Sequence, residues 1–128
     1  MHDATRLRIA RATARLERMV AFYRDGLGLP LLERFEKHAG YSGVILGLPG
    51  GAQLEFTQHD AAAPGRVPDP DDLLVLYFPS AAQIARLRPD RLGPRNLQPV
   101  NPYWLDKSVT LEDPDGWRVV LCDSSRPG

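Results

Sequence analysis

The sequence repeats itself at a single offset, and that repeat limits the folds open to it more than any other feature. Moved along itself by 65 positions, VILGLPGGAQLEFTQ (44–58) lies on VTLEDPDGWRVVLCD (109–123) without a gap. Val44 and Val109, Leu46 and Leu111, Pro49 and Pro114, and Gly51 and Gly116 coincide. The same shift sets Leu27-Gly28 on Leu92-Gly93 and Met19 on Ile84. Each match is weak alone, but one constant offset through helix, turn and strand points to an internal duplication. A length of 128 residues suits one compact domain, or two very small halves packed closely together.

Hydrophobic periodicity gives each half the same order of elements. In the first, LRIARA (7–12) reads as a strand, and Thr13 is placed to cap a helix. Leu16, Met19, Val20, Tyr23 and Leu27 follow helical spacing, with Gly28 as the terminating residue. LPLLERFEK (29–37), YSGVILG (41–47) and AQLEFTQ (52–58) follow as strands, the last two joined by a Pro-Gly-Gly turn. The second half repeats this with LLVLYF (73–78), a helix around AAQIARL (81–87), then LQPV (97–100), KSVTLE (107–112) and WRVVLC (117–122). Pro99 and Pro102 shorten the second of those four strands. The expected organisation is an α+β chain of two tandem βαβββ modules, 1–59 and 73–128, around a linker at 60–72 rich in Ala, Pro, Gly and Asp.

Sixteen Lys and Arg balance sixteen Asp and Glu, and no basic block stands out, so a nucleic-acid partner is not expected. No apolar run approaches the length of a membrane span and the N-terminus has no signal-like apolar stretch, so a soluble cytoplasmic protein is expected. The single cysteine, Cys122, rules out an intrachain disulfide; in an apolar strand it reads as a buried thiol.

Strand alternation sorts the faces. Leu7 and Ile9, Leu54 and Phe56, and Trp117, Val119 and Leu121 form apolar sets expected against the helices. The opposite faces carry Arg6, Arg8 and Ala10, then Gln53, Glu55 and Thr57, then Arg118, Val120 and Cys122. With their Arg, Gln, Glu and Thr, these faces are expected to be too polar for a sealed core and to suit a concave, partly wet surface. Glu112, Asp113 and Asp115 read as turn residues rather than as catalytic groups.

RLERMVAFYRDGLGLPLL, GGAQLEFTQ and EDPDGWRVVL, in that order, resemble the vicinal oxygen chelate superfamily of glyoxalase I, extradiol dioxygenases, fosfomycin-resistance enzymes and bleomycin-resistance proteins. The resemblance implies two βαβββ modules whose curled mixed sheets enclose a cup-shaped cavity, commonly in a homodimer, with the modules paired within a chain or exchanged between subunits. It also implies four metal-ligand positions, on the first and last strand of each module. Those positions fall here on Arg8, Glu55, either Asp72 or Leu73, and Val120. Arg8 repels a cation and Val120 has no donor atom, while a divalent centre normally takes three or more protein ligands. His38 and His59 fall in expected loops without ligand spacing. No metal and no other cofactor is therefore expected.

Arg8 and Glu55 admit three readings: a mutual ion pair, a donor and acceptor for a ligand with Arg118 as a second donor, or Glu55 as a general base. Phe35, Tyr41, Tyr77, Tyr103 and Trp104 are candidates for an aromatic wall that stacks on a planar ligand, although Trp104 and Tyr103 also suit plugging and capping roles. Trp117 reads as core. The resemblance implies a binding protein of the antibiotic-resistance type that sequesters a small aromatic or drug-like metabolite. The alternatives are a metal-dependent lyase or isomerase of the glyoxalase type with Glu55 as base or ligand, and an inert module filled by its own side chains.

Overall fold

The computed structural model describes residues 3–65, 68–94, 97–106 and 108–125. Lys107, expected to start a strand, Arg66 and Val67 of the expected linker, and Met1 and His2 lie outside the described residues. The contacts divide the chain into Met1–Gly65 and Arg66–Gly128.

The first unit begins with β1 (Arg8–Ala12) and a helix, α1 (Leu16–Val20), that continues as a π-helical stretch over Ala21–Gly26. Leu16, Met19, Val20, Tyr23 and Leu27 are all buried, as their spacing demands. Thr13 does not cap the helix directly: its hydroxyl accepts from Arg15 N at 3.0 Å, in a turn before the first helical residue. The acceptor for Leu16 N is instead the Gln58 side-chain oxygen, at 3.0 Å, so a strand far along the chain caps α1. β2 (Leu31–His38), β3 (Tyr41–Gly47) and β4 (Gln53–His59) complete a four-stranded sheet of order β1-β4-β3-β2. β1 runs parallel to β4 and the other pairs are antiparallel. α1 packs on β3 and β4, burying Val44, Leu46, Leu54 and Phe56 beneath it.

The second unit has β5 (Leu73–Phe78), α2 (Ala81–Ala85), α3 (Pro89–Leu92), a 3-10 turn over Pro102–Trp104, β6 (Ser108–Glu112) and β7 (Arg118–Asp123). Its sheet has three strands in the order β5-β7-β6. The strand expected at LQPV (97–100) does not form. Pro99 and Pro102 withhold the N–H groups that a ladder needs, and Gln98 gives its carbonyl to the Arg118 guanidinium at 2.9 Å.

The duplication reaches individual hydrogen bonds. Arg8 aligns with Gln53 and Leu73 with Arg118; Ile45 aligns with Glu55 and Thr110 with Val120. Each pair is its counterpart moved by 65. In the first β-turn Leu48 N donates to Ala52 O at 2.9 Å and Gly51 N to Leu48 O at 3.0 Å. In the second, Asp113 N donates to Trp117 O at 2.8 Å and Gly116 N to Asp113 O at 2.9 Å. Gly51 and Gly116 hold φ of 95° and 89°, a region closed to most side chains, which explains why the repeat keeps glycine there.

The curled sheets around a cup-shaped cavity do not form. Two tandem modules with mixed sheets are present, but no sheet is closed or strongly curled. Closure takes roughly eight strands before the interior can be filled, and these sheets have four and three. A second correction concerns Leu7 and Ile9, which were expected beneath a helix. They are 60% and 36% exposed, because β1 is an edge strand and α1 sits over β3 and β4. Trp117, expected in the core, is only half buried and precedes β7. No helix among the described residues is long and apolar enough to cross a membrane.

Candidate functional site

The face of the first sheet turned away from α1 is built in rungs, because residues aligned across neighbouring strands point the same way. One rung is Arg8, Gln53 and Gly47, with the Leu32 side chain lying over Gly47. The next is Ala10, Glu55, Ile45 and Glu33. Then come Ala12, Thr57, Gly43 and Phe35. The last is His59, Tyr41 and His38. Each rung lies about 7 Å from the next, and neighbouring strands are about 4.8 Å apart.

Polar groups gather at one end of this face. Arg8 donates from Nε to Gln53 Oε1 at 2.9 Å and from Nη1 to Glu55 Oε1 at 3.1 Å. The Arg8 side chain is 40% exposed and that of Glu55 18%. Of the three readings of this pair, the ion pair is present. Among the described residues Arg8 Nη2, Glu55 Oε2 and Gln53 Nε2 have no protein partner, which leaves a donor, an acceptor and a donor open.

Aromatic groups gather at the other end. Phe35 covers Gly43, and Tyr41 meets the His59 ring edge-on with centroids 4.7 Å apart. His59 Nδ1 accepts from Ala61 N at 3.0 Å, which places the proton of the neutral ring on Nε2. His38 and His59, expected in loops, are instead the last residues of β2 and β4, on either side of Tyr41. Glu33 was not singled out from the sequence, Gln53 was placed on the polar face without a role, and the two histidines were set aside as loop residues. The signal that was missing is a register shift in β2 between Leu31 and Glu33, which puts Leu32, Glu33 and Phe35 over the same face as Glu55.

The matching face of the second sheet has another character. Leu73, Val75 and Tyr77 on β5 align with Arg118, Val120 and Cys122 on β7, and Thr110 and Ser108 on β6 align with the last two. Val120, Cys122 and Thr110 are buried. Arg118 is held by the Gln98 carbonyl and lies 3.9 Å from Glu112, so its guanidinium ties a loop to the sheet. Tyr77 is 61% exposed. Tyr103 and Trp104 meet edge-on in the 3-10 turn, where Asn101 Oδ1 accepts from Tyr103 N at 3.0 Å and Trp104 O accepts from Ser108 Oγ at 2.7 Å. Phe35 and Tyr41 therefore share one face in the first unit, while Tyr77, Tyr103 and Trp104 belong to the second.

The strand register also resolves the third ligand position. Leu73 stands to Arg118 as Arg8 stands to Gln53, and Asp72 lies before β5, so the equivalent residue is Leu73. The set is then Arg8, Glu55, Leu73 and Val120, with one donor side chain among four. Among the described residues no three His, Cys, Asp or Glu side chains are grouped to hold a metal ion. With a bound guanidinium at one position and alkyl groups at two, these residues do not fit a divalent cation.

Comparison with known proteins agrees with this architecture. Models of the YycE-like N-terminal domain and the YycE-like C-terminal domain match residues 7–57 and 71–123. The YycE protein of Bacillus subtilis (strain 168) is 43% identical over 125 residues, covering 95% of this chain and 90% of that protein. A crystal structure of a YycE protein of unknown function from Bacillus subtilis superposes with a TM-score of 0.85 at 42% identity, covering 98% of this chain and 93% of that one. Trypanothione-dependent glyoxalase I of Leishmania major gives 0.72 at 19% identity, with 97% and 88% covered. TnmS3, an antibiotic binding protein from Streptomyces sp. CB03234, gives 0.65 at 18% identity, with 96% and 98% covered. The last two likenesses are of fold, whereas the family models take in both halves of the duplication. The chain belongs to the YycE-like family, within the vicinal oxygen chelate (glyoxalase, bleomycin-resistance and dioxygenase) superfamily.

Proposed function

We propose that this protein binds a small aromatic or drug-like metabolite on the face of its first sheet turned away from α1, without a metal ion, and acts by sequestration in the manner of an antibiotic-resistance binding protein. The observation that carries this reading is Arg8. It occupies a position where the superfamily's enzymes place a metal ligand, and it is bonded to Gln53 and to Glu55, the one ligand-type side chain left. A guanidinium held in that way supplies hydrogen bonds for recognition and excludes a cation. Phe35 and Tyr41, on the same face, supply flat apolar contact. One fold serves both TnmS3, an antibiotic binding protein, and a glyoxalase I, so the argument rests on the residues of the face.

The proposal includes a homodimer in the cytoplasm, with no nucleic-acid or membrane partner. The exposed apolar residues Leu7 and Ile9 on the β1 edge strand support self-association, and a buried lone Cys122 suits a reducing compartment. Light scattering after gel filtration is expected to give twice the chain mass; a monomer removes the dimer. The central test is elemental analysis after exposure to Ni, Zn, Mn and Fe followed by desalting. Metal well below one equivalent per chain is expected. A stoichiometric metal overturns the reading and moves Glu55 into the role of ligand in a lyase or isomerase.

A further inference from the structure

The polar end of the face carries a pattern specific enough to indicate a head group. Arg8 donates to Gln53 and to Glu55 at 2.9 and 3.1 Å, and these two bonds leave Nη2 without a protein partner among the described residues. Beside it stand Glu55 Oε2 and Gln53 Nε2, neither with a protein partner among the described residues. The bonded cluster thus keeps two donors and one acceptor open.

The charges cancel locally. A carboxylate ligand gains from Arg8 and meets Glu55; an ammonium ligand gains from Glu55 and meets Arg8. Glu33 is the other carboxylate of the face, two strands from Glu55 across Ile45, or about 10 Å. It is exposed, and at that distance salt screens it, since the Debye length is about 8 Å at physiological ionic strength. A neutral group that offers a carbonyl oxygen and an adjacent N–H satisfies both partners with no net charge to desolvate. Phe35 and Tyr41 are the aromatic side chains of the same face for an attached ring to meet, while Ile45 between the polar and aromatic ends is buried.

We infer that the ligand class is an aryl amide or lactam, whose carbonyl takes a hydrogen bond from Arg8 Nη2 and whose N–H gives one to Glu55 Oε2. This deepens the binding reading above and rests on it.

The test is a titration of 15N-labelled protein with 2-naphthamide, 2-naphthoate and 2-naphthylmethylamine, which share a ring and differ in head group. The amide is expected to bind tightest, with saturable shifts at Arg8, Gln53, Glu55 and Phe35. In Glu55→Gln the carboxylate is expected to overtake the amide by about tenfold; in Arg8→Gln the amine is. Retained dispersion in the spectra of both variants verifies their folding. Tighter binding of naphthoate or the amine to the wild type at these residues overturns the amide inference and leaves the binding reading standing. An unchanged order in Glu55→Gln also overturns the inference. No saturable shift on β1 or β4 with any of the three overturns both.

Discussion

The Phe35 ring lies against Gly43 so closely that a Cβ at Gly43 would stand 2.5 Å from Phe35 Cζ and 2.8 Å from the Phe56 carbonyl oxygen. The ring and the glycine are aligned partners of β2 and β3, and the ring occupies the space a side chain on β3 would take. Gly43→Ala must therefore move the ring or bend β3. The expected loss is about 1–3 kcal/mol by urea unfolding, the usual range for overpacking. In the Phe35→Ala background the same change is expected to cost less, because contacting residues couple. Additive losses would show that the Phe56 carbonyl, and not the ring, sets the limit.

Much of this was readable beforehand, and the reason is periodicity. The 65-residue offset and the helical spacing of Leu16, Met19, Val20 and Tyr23 are local signals, and the burial of those four agrees with them. Membership of the superfamily was readable from the resemblance carried by RLERMVAFYRDGLGLPLL, GGAQLEFTQ and EDPDGWRVVL. What failed depended on pairing between distant residues. The strand at LQPV was lost to two prolines and to a carbonyl claimed by Arg118. Leu7 and Ile9 alternate as a buried face would, but alternation does not say how far a helix reaches. Curled sheets and a cup came with the resemblance, and the strand count does not support them. Glu33 joined the site through a register shift in β2 that no single-strand pattern announces.

Glu55→Gln keeps the shape of the side chain and removes its charge. With Arg8 40% exposed and Glu55 18%, the ion pair is screened, and the stability loss is expected to stay within about 1 kcal/mol. Thermal unfolding checks this. A loss of several kcal/mol would mean that the pair holds β1 to β4 rather than serving recognition.

Gln58 is the reach of β4 into the start of α1. Replacing it with Leu leaves Leu16 N without its acceptor, at a cost of about 1 kcal/mol, typical of a lost helix cap. Hydrogen exchange is expected to quicken first at Leu16 and Glu17. Uniform acceleration over the whole sheet would show that the cap is not a local device.

The hydrogen bond from Arg88 lowers the pKa of Asp90 below the ordinary 3.8. Arg88 Nη2 and Nε donate to its two oxygens at 2.8 and 3.1 Å. A lowered folded-state value means that the stabilisation is present above the unfolded pKa and is lost as pH falls through the folded one. Arg88→Gln is expected to raise the Asp90 midpoint toward 3.8 in an NMR titration. An unmoved midpoint would assign the shift to the backbone of α3.

Identical register in the two sheets, carrying unlike side chains, divides the chain's tolerance to change. At Gln53 and Glu55 a substitution alters what the surface can hold while the core beneath it stays intact. At their counterparts Arg118 and Val120 the same substitution cuts a loop tether or opens a cavity. Side-chain change is therefore tolerated on this face of the N-terminal copy, while the matching face of the C-terminal copy is kept by the demands of folding.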